Sequence, residues 1–382
     1  MLGINSNINS LVAQQNLNGS QSALSQAITR LSSGKRINSA ADDAAGLAIS
    51  TRMQTQINGL NQGVSNANDG VSMIQTASSA LSSLTSSLQR IRQLAVQAST
   101  GTLSSSDQAA LQQEVSAQIS EVNRIASQTT YNGTNILDGS AGSVTFQVGA
   151  NVGQTISLNL SQSMSAAKIG GGLVQTGQTI GTVSVSTDAA GAYTNAAKPA
   201  ITAVNVLSDG KGGFTFTDQN NQAIAETVGA AIFGAGATAG TGVQGTALAL
   251  QAAATTTAGA GSAAQVSAVA QINAINNPPT VSGLDISTVT GANEAMVSID
   301  NALQTVNNLQ ASLGAAQNRF TAIATAQQAE STDLSSAQSQ ITDANFAQET
   351  ANLSKAQVLQ QAGISVLAQA NSNPQQVLKL LQ

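Results

Sequence analysis

Residues 299–341 read IDNALQTVNNLQASLGAAQNRFTAIATAQQAESTDLSSAQSQI. Every seventh residue from Ile299 gives Ile299, Val306, Leu313, Phe320, Gln327, Leu334 and Ile341. Three residues further on, a second set runs Ala302, Leu309, Ala316, Ile323, Glu330, Ala337 and Ala344. Together these are the a and d positions of a coiled-coil seam. Such a seam buries nothing until another helix lies against it. The N-terminal third supplies a cover at the same spacing: Ile74, Leu81, Leu88 and Ala95, with Ala77, Leu84, Ile91 and Ala98. The spacing predicts that the first and last thirds pair, with everything between extruded from the far end.

Composition narrows the class. The chain has 382 residues, of which 41% are hydrophobic but only 2% aromatic and 8% charged. Soluble domains average about 25% charged residues. The apolar share comes mostly from Ala, Val, Leu and Ile. A fully buried Leu or Val contributes about 1.5–3 kcal/mol, and Ala much less. Thin cores and little charge repulsion favour a self-associating protein over a monomeric enzyme. There is no Cys and no His. Disulfides, thiolate chemistry, Ser-His-Asp catalysis and the usual His/Cys zinc sites are therefore excluded. We expect no catalytic residues, no metal and no cofactor. A net charge of -5 argues against a nucleic-acid partner. Lys35-Arg36 reads as a solvated pair. No window of 18 apolar residues predicts a membrane span. Met1-Leu2-Gly3-Ile4-Asn5 lacks the basic and apolar regions of a signal peptide, so export would need a dedicated machine.

Residues 1–36 predict a modestly amphipathic helix, with Leu17, Leu24 and Leu31 seven apart and Gly34 able to end it. Ser39-Ala40-Ala41-Asp42 fits a capping box that places Asp42 and Asp43 in the first helical turn. A long helix is expected from about Ala44 to Ala98, broken by Ser99-Thr100-Gly101-Thr102. Ser104 to Ser106, with Asp107 or Gln108, offers the next cap. Leu111, Val115, Ile119, Val122 and Ile125 mark an antiparallel second helix. Asn132-Gly133 and Asp138-Gly139 are turn signals. Residues 144–148 and 156–160 then alternate like the strands of a small hairpin packed on the helices.

From about Gly170 to Ser287 the texture changes to Gly, Thr, Ala and Val. Strand-like runs appear at 182–185, 203–206 and 214–216, with Gly210 and Gly212-Gly213 as turns. Ala-rich helix is expected near 223–232 and 246–254. Asn276-Asn277-Pro278-Pro279 marks a linker. Helix resumes near Ala292 and continues with interruptions to Ala370. Asn371-Ser372-Asn373-Pro374 is expected to stop it, with Asn373 capping a last turn. Val377, Leu378, Leu380 and Leu381 leave an apolar tip suited to contact. The fold class is thus mainly α with a β-rich middle. Terminal helices pair as an antiparallel coiled-coil-like bundle with a β-hairpin, and an α+β or β variable domain is inserted.

Arg30-Leu31-Ser32-Ser33-Gly34-Lys35-Arg36-Ile37-Asn38, followed by residues 39–49, resembles the signature of bacterial flagellin. So do Leu353-Ser354-Lys355-Ala356-Gln357-Val358-Leu359-Gln360-Gln361-Ala362-Gly363 and residues 366–371. Gln147-Val148-Gly149-Ala150-Asn151 is similar to the family's hairpin segment. The likeness covers roughly 1–165 and 290–382, and the middle resembles nothing recognisable. It implies the repeating, self-polymerising subunit of the flagellar filament. It also implies type III export to the outside of the cell, an export chaperone on the C-terminal segment, and filament cap and hook-junction partners. Residues 1–40 and 345–382 would be inner helices, disordered in the monomer. Residues 41–169 and 288–344 would form the helical core with the hairpin, and 170–287 the exposed variable domain. A recognition surface for Toll-like receptor 5 is implied at Arg90, Leu94 and Glu114, where Arg90 and Leu94 need an outward or lateral face. Val377, Leu378, Leu380 and Leu381 resemble the tip read by cytosolic immune sensors. The alternatives are a hook–filament junction protein, a flagellin carrying a hydrolase in its middle, and a coiled-coil adhesin.

Overall fold

A computed structural model of the chain describes residues 7–194, 198–233, 247–249 and 263–380. The elements run α1 (Ile8–Ser33), α2 (Ala44–Ala98), α3 (Ser105–Gln128), β1 (Thr130–Tyr131), β2 (Thr134–Asn135), β3 (Gly142–Gln147) and β4 (Thr155–Leu160). Then follow β5 (Thr179–Thr187), β6 (Ile201–Ser208), β7 (Phe214–Asp218), α4 (Glu226–Phe233), α5 (Ala263–Ile275), α6 (Val289–Thr342) and α7 (Phe346–Leu380). Contacts divide them into two compact units. One comprises Met1–Ala67, Gln147–Thr155 and Ala322–Gln382; the other Asn68–Phe146 and Ile156–Thr321.

In the second unit the seam is realised. Ile74, Ala77, Leu81, Leu84, Leu88, Ile91, Ala95 and Ala98 of α2 are buried to the last ångström, as are Ile299, Ala302, Val306, Leu313 and Phe320 of α6. The helices are antiparallel, with Gly70 against Phe320 and Arg92 paired to Asp300. Val115, Val122, Ile125 and Ala126 close the bundle from α3. Ser104 caps α3 in a reciprocal box with Asp107, which resolves the frame. The Ser104 hydroxyl and backbone N–H both donate to Asp107 and hold its carboxyl below the ordinary 3.8. Phe146 at the end of β3 meets Phe320 edge-on, with ring centres 5.3 Å apart. The turn at Asn132 and Gly133 has positive φ at both residues, 49° and 79°. That conformation explains the Asn-Gly pair.

The Gly/Thr-rich middle folds as an antiparallel sheet in the order β5-β6-β7. One face is apolar: Ile180, Val183 and Val185, then Val204 and Val206, then Phe214 and Phe216, the alternation in β5 being broken once by a register shift between Thr179 and Gly181. Helix α5 covers that face, and Gly181 lets it approach, because a Cβ there would lie 2.7 Å from Ile272. Sequence reasoning missed α5. Its residues Ala263–Ile275 are apolar on nearly every side, so no 3.6-residue stripe stands out. Helix α4 falls close to the expected 223–232, with Phe233 stacked on Phe216 at 5.2 Å. Of the helix expected at 246–254, residues 247–249 carry no regular structure and the rest lie outside the described residues.

In the first unit the seam continues but changes character. Gln327, Leu334 and Ile341 are only half-buried and Glu330 is exposed. Polar pairs replace apolar ones. The buried Ser331 donates to Asn61 Oδ1 at 2.9 Å, and Gln338 donates to the carbonyl of Ser50 at 3.0 Å. The 147–151 loop seats on α2 at Gly59 and Gly63, where an added Cβ would lie 2.9 Å from Ala150 and 2.1 Å from the Val148 carbonyl oxygen. Asn66 completes the seat with a 2.7 Å bond to the Gln147 carbonyl.

Two expected caps differ. Ser39 does bond Asp42, but that contact closes a turn ahead of α2. Asp42 accepts from the backbone of Asn38 and Ser39 and from Gln26. The cap of α2 is Asp43, whose Oδ1 accepts from Gly46 N at 2.9 Å. The expected stop at 371–374 also fails, since α7 runs unbroken to Leu380.

Candidate functional site

Helices α1 and α7 lie side by side, antiparallel. Asn7 meets Ala370, Leu17 meets Gly363, and Arg30 meets Glu349. The buried positions between them are small: Ala13, Ala27, Ala356 and Ala370. Alanine lets the backbones approach but contributes little apolar area. Leu17, Leu24, Leu31, Leu353 and Leu367 are half-buried, but many of the other large apolar side chains stay in solvent. Ile8, Leu11, Val12 and Ile28 of α1, and Phe346, Val358, Leu359, Ile364 and Val366 of α7, are 48–70% exposed. That is a large exposed apolar surface for an amphipathic pair. An open groove of about 530 Å³ adds to it, lined by Ala13, Gly19, Ala23, Leu359, Gly363 and Val366 among others.

Register is pinned where the C-terminal end of α1 meets the start of α7. The Arg30–Glu349 ion pair spans 3.9 Å with Glu349 nearly buried. The linkers that leave the pair are bonded to each other. Arg36 N donates to the Thr342 carbonyl at 2.6 Å, and Ala344 N donates to the Gly34 carbonyl at 2.9 Å, around an antiparallel Lys35–Asp343 bridge. Gly34 ends α1 in the left-handed conformation, with φ of 69°. Lys35 and Arg36 are both exposed, as a solvated pair would be, and Arg36 also donates to the Ile341 carbonyl through Nη2 at 2.6 Å.

Arg90, Leu94 and Glu114 do not share one surface. Arg90 Nη2 pairs with Glu114 Oε1 at 2.6 Å, and both side chains are partly solvent-exposed. Leu94 is 1% exposed. It packs inside the bundle and not on the outward or lateral face expected of it, because it follows Leu84, Leu88 and Ile91 along the buried stripe. Of the apolar tip, the backbone of Val377, Leu378 and Leu380 is helical; their side chains, and all of Leu381, lie outside the described residues. Sequence reasoning missed Asn7 and the Gly59/Gly63/Asn66 seat. The four-residue spacing of the two glycines was the available signal. Among the described residues no helix is long and apolar enough to cross a membrane.

Comparison with known proteins agrees with this geometry. Residues 4–142 match the bacterial flagellin N-terminal helical region, and 296–381 the bacterial flagellin C-terminal helical region. Residues 172–275 match the flagellin D2 domain, so the middle, which resembled nothing on reading, also has family relatives. Flagellin B of Vibrio cholerae is 38% identical over 394 residues, covering 100% of this chain and 99% of the relative. The B-type flagellin of Pseudomonas aeruginosa is 36% identical over 487 residues, covering 100% of both. The solved structure of FliC from Burkholderia pseudomallei is 66% identical, with a TM-score of 0.60, and covers 65% of this chain and 99% of that one.

The chain belongs to the bacterial flagellin family. It is a structural, self-polymerising subunit of the flagellar filament that serves motility, and the junction-protein alternative gives way.

Proposed function

We propose that polymerisation completes the folding of this subunit. The observation that carries the proposal is the α1/α7 pair, whose fully buried apolar positions are alanines while nine large apolar side chains stay exposed. A pair so poor in internal apolar area gains little from its own contact and much from lateral copies. In this reading residues 1–40 and 345–382 are disordered in the free chain and form the inner wall of the filament. Residues 41–169 and 288–344 form the next layer, and 170–287 faces solvent. The subunit is not an enzyme. It leaves the cell unfolded through the flagellar type III channel, held by an export chaperone on its C-terminal segment, and is added beneath a cap above the hook-junction proteins.

Seeded assembly followed by electron microscopy tests this. The full chain should give long filaments, whereas a chain lacking residues 371–382 should remain monomeric. Normal filaments from the truncated chain would defeat the proposal.

Recognition by Toll-like receptor 5 is proposed for the exposed Arg90 and Glu114, with Leu94 supporting the helix from within. The tip at Val377, Leu378, Leu380 and Leu381 is proposed as the contact for the chaperone, for assembly and for cytosolic immune sensors.

A further inference from the structure

Pro374 lies inside α7, which continues to Leu380. A proline has no N–H, so the carbonyl four residues earlier loses its helical donor. That carbonyl belongs to Ala370, which is 7% exposed. A buried, unpaired carbonyl is costly. Here it is paired from the opposite end of the chain: Asn7 Nδ2 donates to the Ala370 carbonyl oxygen at 2.8 Å. The other half of the same amide is also used. Asn7 Oδ1 accepts from Ser10 N at 3.2 Å and caps α1. The two bonds fix the amide's orientation, since only the oxygen can accept and only the nitrogen can donate. Beside it, Ser10 Oγ donates to Asn371 Oδ1 at 2.7 Å.

We infer that Asn7 and Pro374 form a latch joining the two ends of the chain. The proline creates an acceptor that helix α7 cannot satisfy itself, and the cap residue of α1 satisfies it in one register only. A shift of one residue along α7 would present a carbonyl already bonded within the helix. The latch thus holds the same α1/α7 register at the Asn7 end that Arg30–Glu349 and the Lys35–Asp343 bridge hold at the other, over alanine contacts that specify it weakly. Pro374 serves as a register mark, in place of the helix stop its residue type suggests.

The inference rests on the filament reading, because the pair is most fully ordered there. Asn7→Ser keeps a side-chain oxygen that caps α1 but is too short to reach Ala370. Pro374→Ala restores the backbone N–H that the carbonyl lacks. The critical concentration for seeded elongation is measured for the parent chain, each single variant and the double variant. Asn7→Ser should raise it about fivefold in the parent, the factor corresponding to about 1 kcal/mol for one hydrogen bond. In the Pro374→Ala background the same change should raise it less than about twofold, the rest of that energy being supplied by the new N–H. Equal penalties in both backgrounds, or none in the parent, would overturn the latch alone. A parent chain that forms no filament would sink the filament reading and this inference with it.

Discussion

Replacing Gly70 by alanine should destabilise the chain, against the ordinary sign for a helix interior. Gly70 lies within α2, where Gly→Ala normally gains up to about 1 kcal/mol. Here the added Cβ would sit 2.6, 2.9 and 3.0 Å from three carbons of the Phe320 ring. Phe320 is fully buried, and the edge of Phe146 at 5.3 Å closes one escape for its ring. Overpacking a tight site costs about 1–3 kcal/mol. Set against the propensity gain, the steric term leaves a net loss of up to about 2 kcal/mol. Urea unfolding of the unassembled chain, followed by circular dichroism, reads this as a lower midpoint at unchanged slope. The control is Gly70→Ala combined with Phe320→Leu. The smaller side chain should accept the methyl group, so that in this background the alanine is neutral or stabilising. A parent chain made more stable by Gly70→Ala would refute the claim that the seam is packed to contact at this position.

Two further outcomes follow from side chains at the bundle surface. Burial alone raises the Glu294 carboxyl above its ordinary 4.5. An acid raised on folding favours the folded chain below its unfolded pKa, and that contribution is lost as pH rises through the folded value. Glu294→Gln should therefore stabilise at pH 7 and change little at pH 4, and thermal melts at both values check it. Arg90→Ala should weaken Toll-like receptor 5 signalling in reporter cells while filaments still form, since the exposed Arg90–Glu114 pair adds little to stability. An unchanged dose response would remove Arg90 from the recognition surface.

Much of this architecture was legible because heptads and turn residues are local signals. Ile299 to Phe320 and Ile74 to Ala98 announced their pairing, and Ser99–Thr102, Gly34 and Asn132-Gly133 announced the breaks. What stayed hidden depends on partners distant in sequence. The seam beyond Phe320 keeps its spacing but hands over to Ser331–Asn61 and Gln338–Ser50, and periodicity cannot show a hydrogen bond. Leu94 is buried with its neighbours on the α2 stripe, where the resemblance had implied a lateral face. Pro374 misled most clearly. Proline's local preference is to end a helix, and the contact that pairs the carbonyl it orphans comes from Asn7, across 363 residues. The middle domain was readable as strands because Val and Phe alternate there. Helix α5 was not, because it is apolar nearly all round.

The central claim is that the two ends of the chain become ordered only against neighbouring copies. Amide hydrogen exchange of α1 and α7, compared between the dilute chain and the assembled filament, tests it most directly. The account predicts exchange near the unstructured rate in dilute solution and strong protection in the filament, with the α2/α6 seam protected in both. Equal protection of α1 and α7 in both states would contradict it.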